Sequence, residues 1–203
     1  MRPTLPLLVV LSLFSLPGNA QRLALGLKGG LLASTTHAVR IQTYPVPGAT
    51  AGIYFPYHAG TRFEIQPEAL ITLNGSGYQE PDGDRFTART LYMNFPVSAK
   101  LFLGNSFNLQ GGVKAGKLLL AYHETAEGNV TMTDRYNAID FGLTGGLGMD
   151  LRSGLDLTVR YYSGMKPILA GDGALFPRNR SVQFTAGYRL MHFREIKAVR
   201  KRR

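Results

Sequence analysis

Apolar residues recur at every second position in eight separate stretches of the chain. Odd positions carry them from Leu23 to Leu31, Ala49 to Tyr57, Phe63 to Leu73, Leu91 to Leu101, Phe107 to Leu119, Ile139 to Leu151 and Leu155 to Ser163, and even positions from Val182 to Leu190. Within these sets only Lys117 and Ser163 are polar, whereas the intervening positions hold charged, amide, hydroxyl and glycine residues. A period of two is the mark of a β-strand with one apolar face, and it fits all eight stretches better than helical spacing.

Alternation alone suits a soluble sandwich as well as a membrane barrel. The connections favour the barrel. Long connections alternate with tight turns at residues 58–62, 102–106 and 152–154. Outer-membrane barrels have short periplasmic turns and longer external loops. An even strand number then places both ends of the barrel on the periplasmic side. Most stretches have the roughly 9 to 11 residues that a tilted strand needs to cross a bilayer. Phe55, Tyr57, Phe63, Phe107 and Tyr188 gather near the periplasmic interface, as an aromatic girdle requires. The expected fold is all-β: an eight-stranded antiparallel up-and-down transmembrane β-barrel. Pro56, Pro67 and Pro96 fall inside strands, where each removes a ladder donor, so bulges are expected there. Lys117 on the apolar face is expected close to the external rim, where a cation costs ~0 to 1 kcal/mol in place of ~2 to 4 at the midplane.

The run GGVKAGKL at residues 111–118 comes within one residue of a phosphate-binding loop, lacking only the final hydroxyl. That loop needs a strand-to-helix turn, because backbone N–H groups and the helix start cradle the phosphates. Here the run lies within a strand, with Lys114 facing inward and Lys117 outward, so no single concave nest forms. Gly142, Gly145, Gly146 and Gly148 resemble a dinucleotide fingerprint by the same accident. Their expected role is to let small residues fit a narrow, curved sheet.

The 203 residues suit one domain. Residues 1–20 combine Arg2, an apolar run from Leu5 to Leu16 and small residues at Gly18 and Ala20, the form of a secretory signal peptide. The barrel is expected over residues 21–193 and a basic periplasmic tail over 194–203. The chain has no cysteine, which excludes disulfides, thiolate metal sites and a Cys nucleophile. Formal charge is +10, but half of that excess sits in the last ten residues, so the barrel itself is only mildly basic. An export signal argues against a nucleic-acid partner. Membrane lipid is the expected surrounding, and no cofactor is implied.

The segments GLKGGL from Gly26, QPE at Gln66 to Glu68, LYMNFPVSAKL from Leu91, GGVKAGKLL, DFGLTGGLG from Asp140, VRYYSGM from Val159 and FTAGYRL from Phe184 resemble the PorT-like outer-membrane β-barrel domain family of Bacteroidota. The resemblance covers nearly the whole mature chain and implies a small outer-membrane barrel. It also allows a second reading, an accessory role in protein secretion across that membrane. Lys117, where the family usually has an aromatic, and the charged tail depart from the pattern.

Ten charged residues take inward positions: the bases Lys28, Lys100, Lys114, Arg160 and Arg189, and the acids Glu64, Glu68, Asp140, Asp150 and Asp156. An eight-stranded barrel encloses only enough room for side chains. The expected reading is therefore a neutral salt-bridge plug, the alternative being a narrow ion path or diffusion pore. At the external end, His37, His123, Asp82, Asp84 and Asp134 lack the Ser–His spacing or the H-E-x-x-H pattern of an enzyme. Tyr44, Tyr78, Phe86, Tyr136 and Phe176 stand in the expected external loops, where they either anchor a partner or pack on one another. The expected role is a non-enzymatic structural or interaction component of the envelope, meeting any protein partner through external loops or the basic tail.

Overall fold

The computed structural model describes residues 23–37, 42–59, 62–79, 85–125, 128–169 and 177–193. Residues 1–20 and 194–203, expected as a leader and a basic tail, lie outside the described residues, as do Asp82, Asp84 and Phe176. The strands in chain order are β1 (Leu23–His37), β2 (Gln42–Tyr54), β3 (Tyr57–His58), β4 (Phe63–Gln79), β5 (Arg85–Phe102), β6 (Phe107–Thr125), β7 (Gly128–Thr131), β8 (Ile139–Asp150), β9 (Leu155–Gly164) and β10 (Arg178–Phe193). Eight of them are long, and each pairs antiparallel with the next long strand in sequence. β10 then pairs with β1 over the full length of β1 and closes the ring. The two-residue β3 continues β2 beyond Pro56, and β7 folds back on β6.

Closure leaves the long strands no free edge, the condition for β-structure in hydrocarbon. It also turns the usual distribution of residues inside out. Leu31 is 70% exposed, Leu147 61% and Phe184 55%, whereas Glu64 and Lys100 are 0% exposed. The outward set is the apolar alternation of the sequence and the inward set is its polar complement. GGVKAGKL lies wholly within β6, paired with β5 and β8, with Lys114 buried and Lys117 exposed. In β8, a Cβ on Gly142 or Gly146 would run into the backbone of β9, so these glycines serve close strand approach.

Two expectations require correction. The first concerns the bulges. Pro56 breaks β2 from β3, but neither Pro67 nor Pro96 shifts the register. The Pro67 carbonyl accepts from Phe55 N at 2.9 Å, so its missing N–H faces the gap that Pro56 leaves in β2. Opposite Pro96, pairing between β4 and β5 skips Glu68 and Ala69 and resumes unchanged. The actual register shifts fall between Pro45 and Ala49, between Leu91 and Tyr92 in the β5–β6 ladder, and between Leu25 and Gly26 in the β1–β10 ladder.

The second concerns the connections. At the end bearing the tight turns, strand ends match the alternation. At the other end the strands run further than the apolar pattern, reaching His37, Gln79 and Thr125. Connections at 38–41 and 80–84 are consequently short, and only those between β6 and β8 and between β9 and β10 are long. Hydrogen bonding continues past the apolar belt, where outward positions such as Thr35 and Arg180 no longer need to be apolar, so hydropathy ends before the ladder does.

If the outward belt meets lipid, Leu27→Arg, Phe95→Arg and Leu147→Arg each destabilise the folded barrel by about 2 to 4 kcal/mol near the midplane. Inward Thr144→Ser is tolerated. Urea titration in lipid vesicles, with heat-modifiable gel migration as the check for folding, measures both. Normal insertion and stability of all three arginine variants contradicts the assignment of faces.

Candidate functional site

The lumen has three layers, beginning with a charged one at the turn end. Register sets Glu64 opposite Lys100 across β4 and β5, a favourable pair, and Asp150 opposite Asp156 across β8 and β9, an unfavourable one. Lys100 reaches across the lumen to relieve the second. Its Nζ lies 2.7 Å from Asp156 Oδ2, 3.1 Å from Asp150 Oδ1 and 3.4 Å from Glu64 Oε1. Arg189 approaches Asp150 at 3.3 Å and Glu64 at 3.7 Å, and His58 Nε2 lies 3.0 Å from Glu64.

Glu68 forms the second node. It accepts from Lys28 Nζ at 3.0 Å, from Arg160 Nη2 at 2.9 Å and Nη1 at 3.1 Å, and from Gln66 Nε2 at 2.6 Å. Arg160 also donates to Gln110 Oε1 at 2.9 Å. Lys28 links the two nodes, standing 3.7 Å from Asp156, and its Nζ lies 4.9 Å from the centre of the Tyr54 ring. That ring occupies space left by Gly26: a Cβ there would collide with it, and one on Gly187 would lie 3.0 Å from it. Lys28, Lys100, Arg160 and Arg189 thus face Glu64, Glu68, Asp150 and Asp156, so the formal charges balance within one connected network.

Lys114 and Asp140, expected in the same network, stand apart from it in a middle layer. Lys114 Nζ sits 3.2 Å from the centre of the Tyr162 ring, while Asp140 accepts from Asn179 Nδ2 at 3.0 Å. Among the described residues no carboxylate lies within ion-pair distance of Lys114. Tyr92, Asn94 and Thr144 complete this layer, all buried. The separation has a geometric cause: strand tilt and stagger decide which inward residues share a level, and alternation carries no information about either.

At the loop end an apolar cap packs into the lumen. The segment after β7, including a 3₁₀ turn at Thr133–Arg135, folds over the mouth. Tyr136 and Ile168 enter it and pack with Tyr92, Leu118 and Ala121. Asn137 fastens the two long connections together: its N donates to Ile168 O at 2.7 Å, and its Nδ2 to Pro167 O at 2.9 Å and Leu169 O at 2.8 Å. The cavity bounded by this cap, Thr36 and Asn74 measures only about 10 Å³, the space of a single water. His123 Nε2 lies 3.0 Å from Tyr136 Oη, and Tyr78, Phe86 and His123 stack in sequence at 5.0 and 5.2 Å.

The loop aromatics thus divide. Tyr78, Phe86 and Tyr136 pack together with His123, and Tyr44 lies on the outside of β2 beside Gly77, where a Cβ would strike its ring. His37 ends β1 facing outward, and Asp134 is exposed in the 3₁₀ turn. Sequence reasoning missed Tyr54, Tyr162 and the Tyr136–Ile168 cap. The inward parity of the first two was available; the cap, built by an irregular segment, leaves no periodic signal.

Residues 17–170 match the outer membrane protein beta-barrel domain family. Among solved structures, the chain is similar to Neisserial surface protein A, with 8% identity over 82% of this chain and 97% of that one and a TM-score of 0.56. Two further structures are similar at lower scores. The attachment invasion locus protein Ail of Yersinia pestis, solved with the heparin analogue sucrose octasulfate, has 13% identity over 85% of this chain and 100% of that one, with a TM-score of 0.47. OprG of Pseudomonas aeruginosa has 11% identity over 84% and 96%, with a TM-score of 0.44. No curated protein matches the chain in sequence. An inside-out, closed eight-stranded ring and a match spanning most of the chain agree: this protein belongs to the outer membrane protein beta-barrel domain family, and its location is the cell outer membrane.

Proposed function

We propose that this barrel has a plugged lumen and acts without catalysis, as a structural or interaction component of the envelope. One observation carries the reading: the charged layer of the lumen is a connected, balanced network in which Glu68 is held by two cations and Lys100 by three carboxylates. Ionisable groups at membrane depth are costly unless paired or used. Here pairing accounts for eight of the ten. The apolar cap around Tyr136 and Ile168 supports the same reading from the other end. His123 packs against Tyr136 and Phe86, a role in holding the cap rather than in chemistry. Partner binding then falls to the loop-end surface or to the basic tail at 194–203.

The narrower PorT-like kinship, with an accessory part in protein secretion, rests on the sequence segments from Gly26 to Leu190. Co-purification from mild detergent separates it from a stand-alone role: a stable assembly with secretion components supports the accessory role.

A plugged and capped lumen carries little or no steady current when the purified protein is placed in a planar bilayer. Large, reproducible channels contradict the plug and favour a diffusion pore. Glu68→Gln leaves Lys28 and Arg160 facing a neutral amide and is expected to destabilise the barrel by about 3 to 5 kcal/mol. Adding Arg160→Met to that variant costs much less than Arg160→Met costs alone, because the two side chains act as one unit. Urea unfolding in lipid measures the cycle, and simple additivity contradicts the network.

A further inference from the structure

The cap at the loop end is fastened to the barrel wall at two anchors and by one side chain between them. At the first anchor Met132 N donates to Ala121 O at 2.9 Å and Ala121 N donates to Thr133 Oγ1 at 3.0 Å; at the second, Leu118 N donates to Ala138 O at 2.8 Å. Residues 134–137 bridge the two. Among the described residues, the bond between His123 Nε2 and Tyr136 Oη, at 3.0 Å, is the one hydrogen-bonding side-chain tie from this bridge to the wall. Asn137 and a backbone bridge from Tyr136 to Leu169 join it to the other long connection, so the two form one unit.

His123 stands outside the membrane. It lies four residues past Leu119, where the apolar alternation of β6 ends, or about 10 Å further along the axis at a tilt of roughly 40°. Phe86 of β5 stacks on its ring at 5.2 Å with Tyr78 of β4 behind at 5.0 Å, and Tyr136 of the cap meets it edge-on at 6.2 Å. Its ladder neighbours are Ala88 of β5 and Val130 of β7, neither of them titratable. Nearby charges oppose a cation here. Arg135 of the cap repels one, Glu124 pairs with Arg89 at 3.5 Å, and Asp134 is exposed. Burial, and then the field of Arg135, hold His123 below the ordinary histidine value.

We propose that His123 and Tyr136 form an acid-sensitive latch, and that the cap is a lid that opens at the external mouth when His123 takes up a proton. Neutral His123 can accept the Tyr136 hydroxyl proton at Nε2, whereas imidazolium has two donors and no acceptor. Imidazolium must also shed water to stay between Phe86 and Tyr136, and with the lid open it is hydrated. The closed form therefore binds the proton more weakly than the open form. Closure is at full strength above the ordinary histidine value of about 6.5, weakens as pH falls through it, and levels off below the lower value of the closed form. Opening frees Tyr136 and Ile168 and uncovers Tyr92, Leu118 and Ala121. The ion-paired layer lies at the opposite end of the lumen, so the lid exposes an apolar surface without making a channel.

Amide hydrogen exchange of the full chain in lipid nanodiscs, corrected for the intrinsic pH dependence of exchange, tests the latch. The reporters are Asn137 N, bonded to Ile168 O at 2.7 Å, and Ile168 N, bonded to Pro177 O at 2.8 Å. Between about pH 8 and about pH 5 their protection falls roughly three-fold or more, while that of the β5 and β6 ladder below the cap stays constant. His123→Phe keeps the aromatic stack but cannot titrate, and His123→Gln keeps a polar group opposite Tyr136; each removes the pH dependence, and heat-modifiable migration verifies that each is folded. Reporter protection that is constant with pH in the unaltered protein overturns the proposal. So does a fall that persists in both variants, or one that the ladder amides share equally.

Discussion

A sheet in hydrocarbon must satisfy all of its backbone hydrogen bonds internally, and every other feature of this structure follows from that constraint. It forces β10 back onto β1 and so forms a ring. With eight long strands the ring is narrow, its interior just wide enough for side chains to fill. Every second residue of each strand must then occupy a small, crowded space that the bilayer keeps far from bulk water. The outward residues meet the opposite demand and are apolar over the height of the membrane.

Crowding makes polarity inside the ring a collective matter. Asp150 and Asp156 face each other across neighbouring strands, an arrangement stabilised by Lys100, which reaches both, and by Arg189 and Lys28, which each reach one. Glu68 likewise depends on Lys28 from β1 and Arg160 from β9. These contacts join strands that are not neighbours in the ring, and Arg160–Glu68 reaches from β9 to β4 on the opposite side, so the network braces the barrel across its interior while the ladder braces it around its circumference. The glycines at 26 and 187 make room for Tyr54 and bring it to the Lys28 side chain, which couples the closing seam to the same network.

Alternation made the fold legible because period two is a local property, written wherever one face must be greasy. It gave the strand number and the faces; of the ten inward charged positions eight are buried, while Asp150 and Arg189 are half-buried. It did not reveal how far strands extend beyond the membrane, since at Thr35, His37, Arg178 and Arg180 the outward residues turn polar while pairing continues. Nor did it reveal which inward charges meet. That depends on stagger, so Lys114 and Asp140 were grouped with a network that lies a layer below them. The cap escaped notice because Tyr136 and Ile168 lie in irregular segments that become neighbours only when Asn137 ties their backbones together. Proline expectations failed for a related reason: the missing donor of Pro67 is harmless because of where Pro56 breaks the next strand.

The central claim is that ion pairs, and not water, occupy the charged layer of the lumen. Solution NMR of the barrel in lipid nanodiscs with ¹⁵N-labelled lysine tests it directly through the side-chain ammonium groups of Lys28 and Lys100. Direct hydrogen bonds to Glu68 and Asp156 predict ammonium protons that exchange slowly with solvent and lose their distinct shifts in Glu68→Gln and Asp156→Asn respectively. Ammonium protons that exchange as fast as those of an exposed lysine, with shifts indifferent to both substitutions, contradict the account and identify a water-filled lumen.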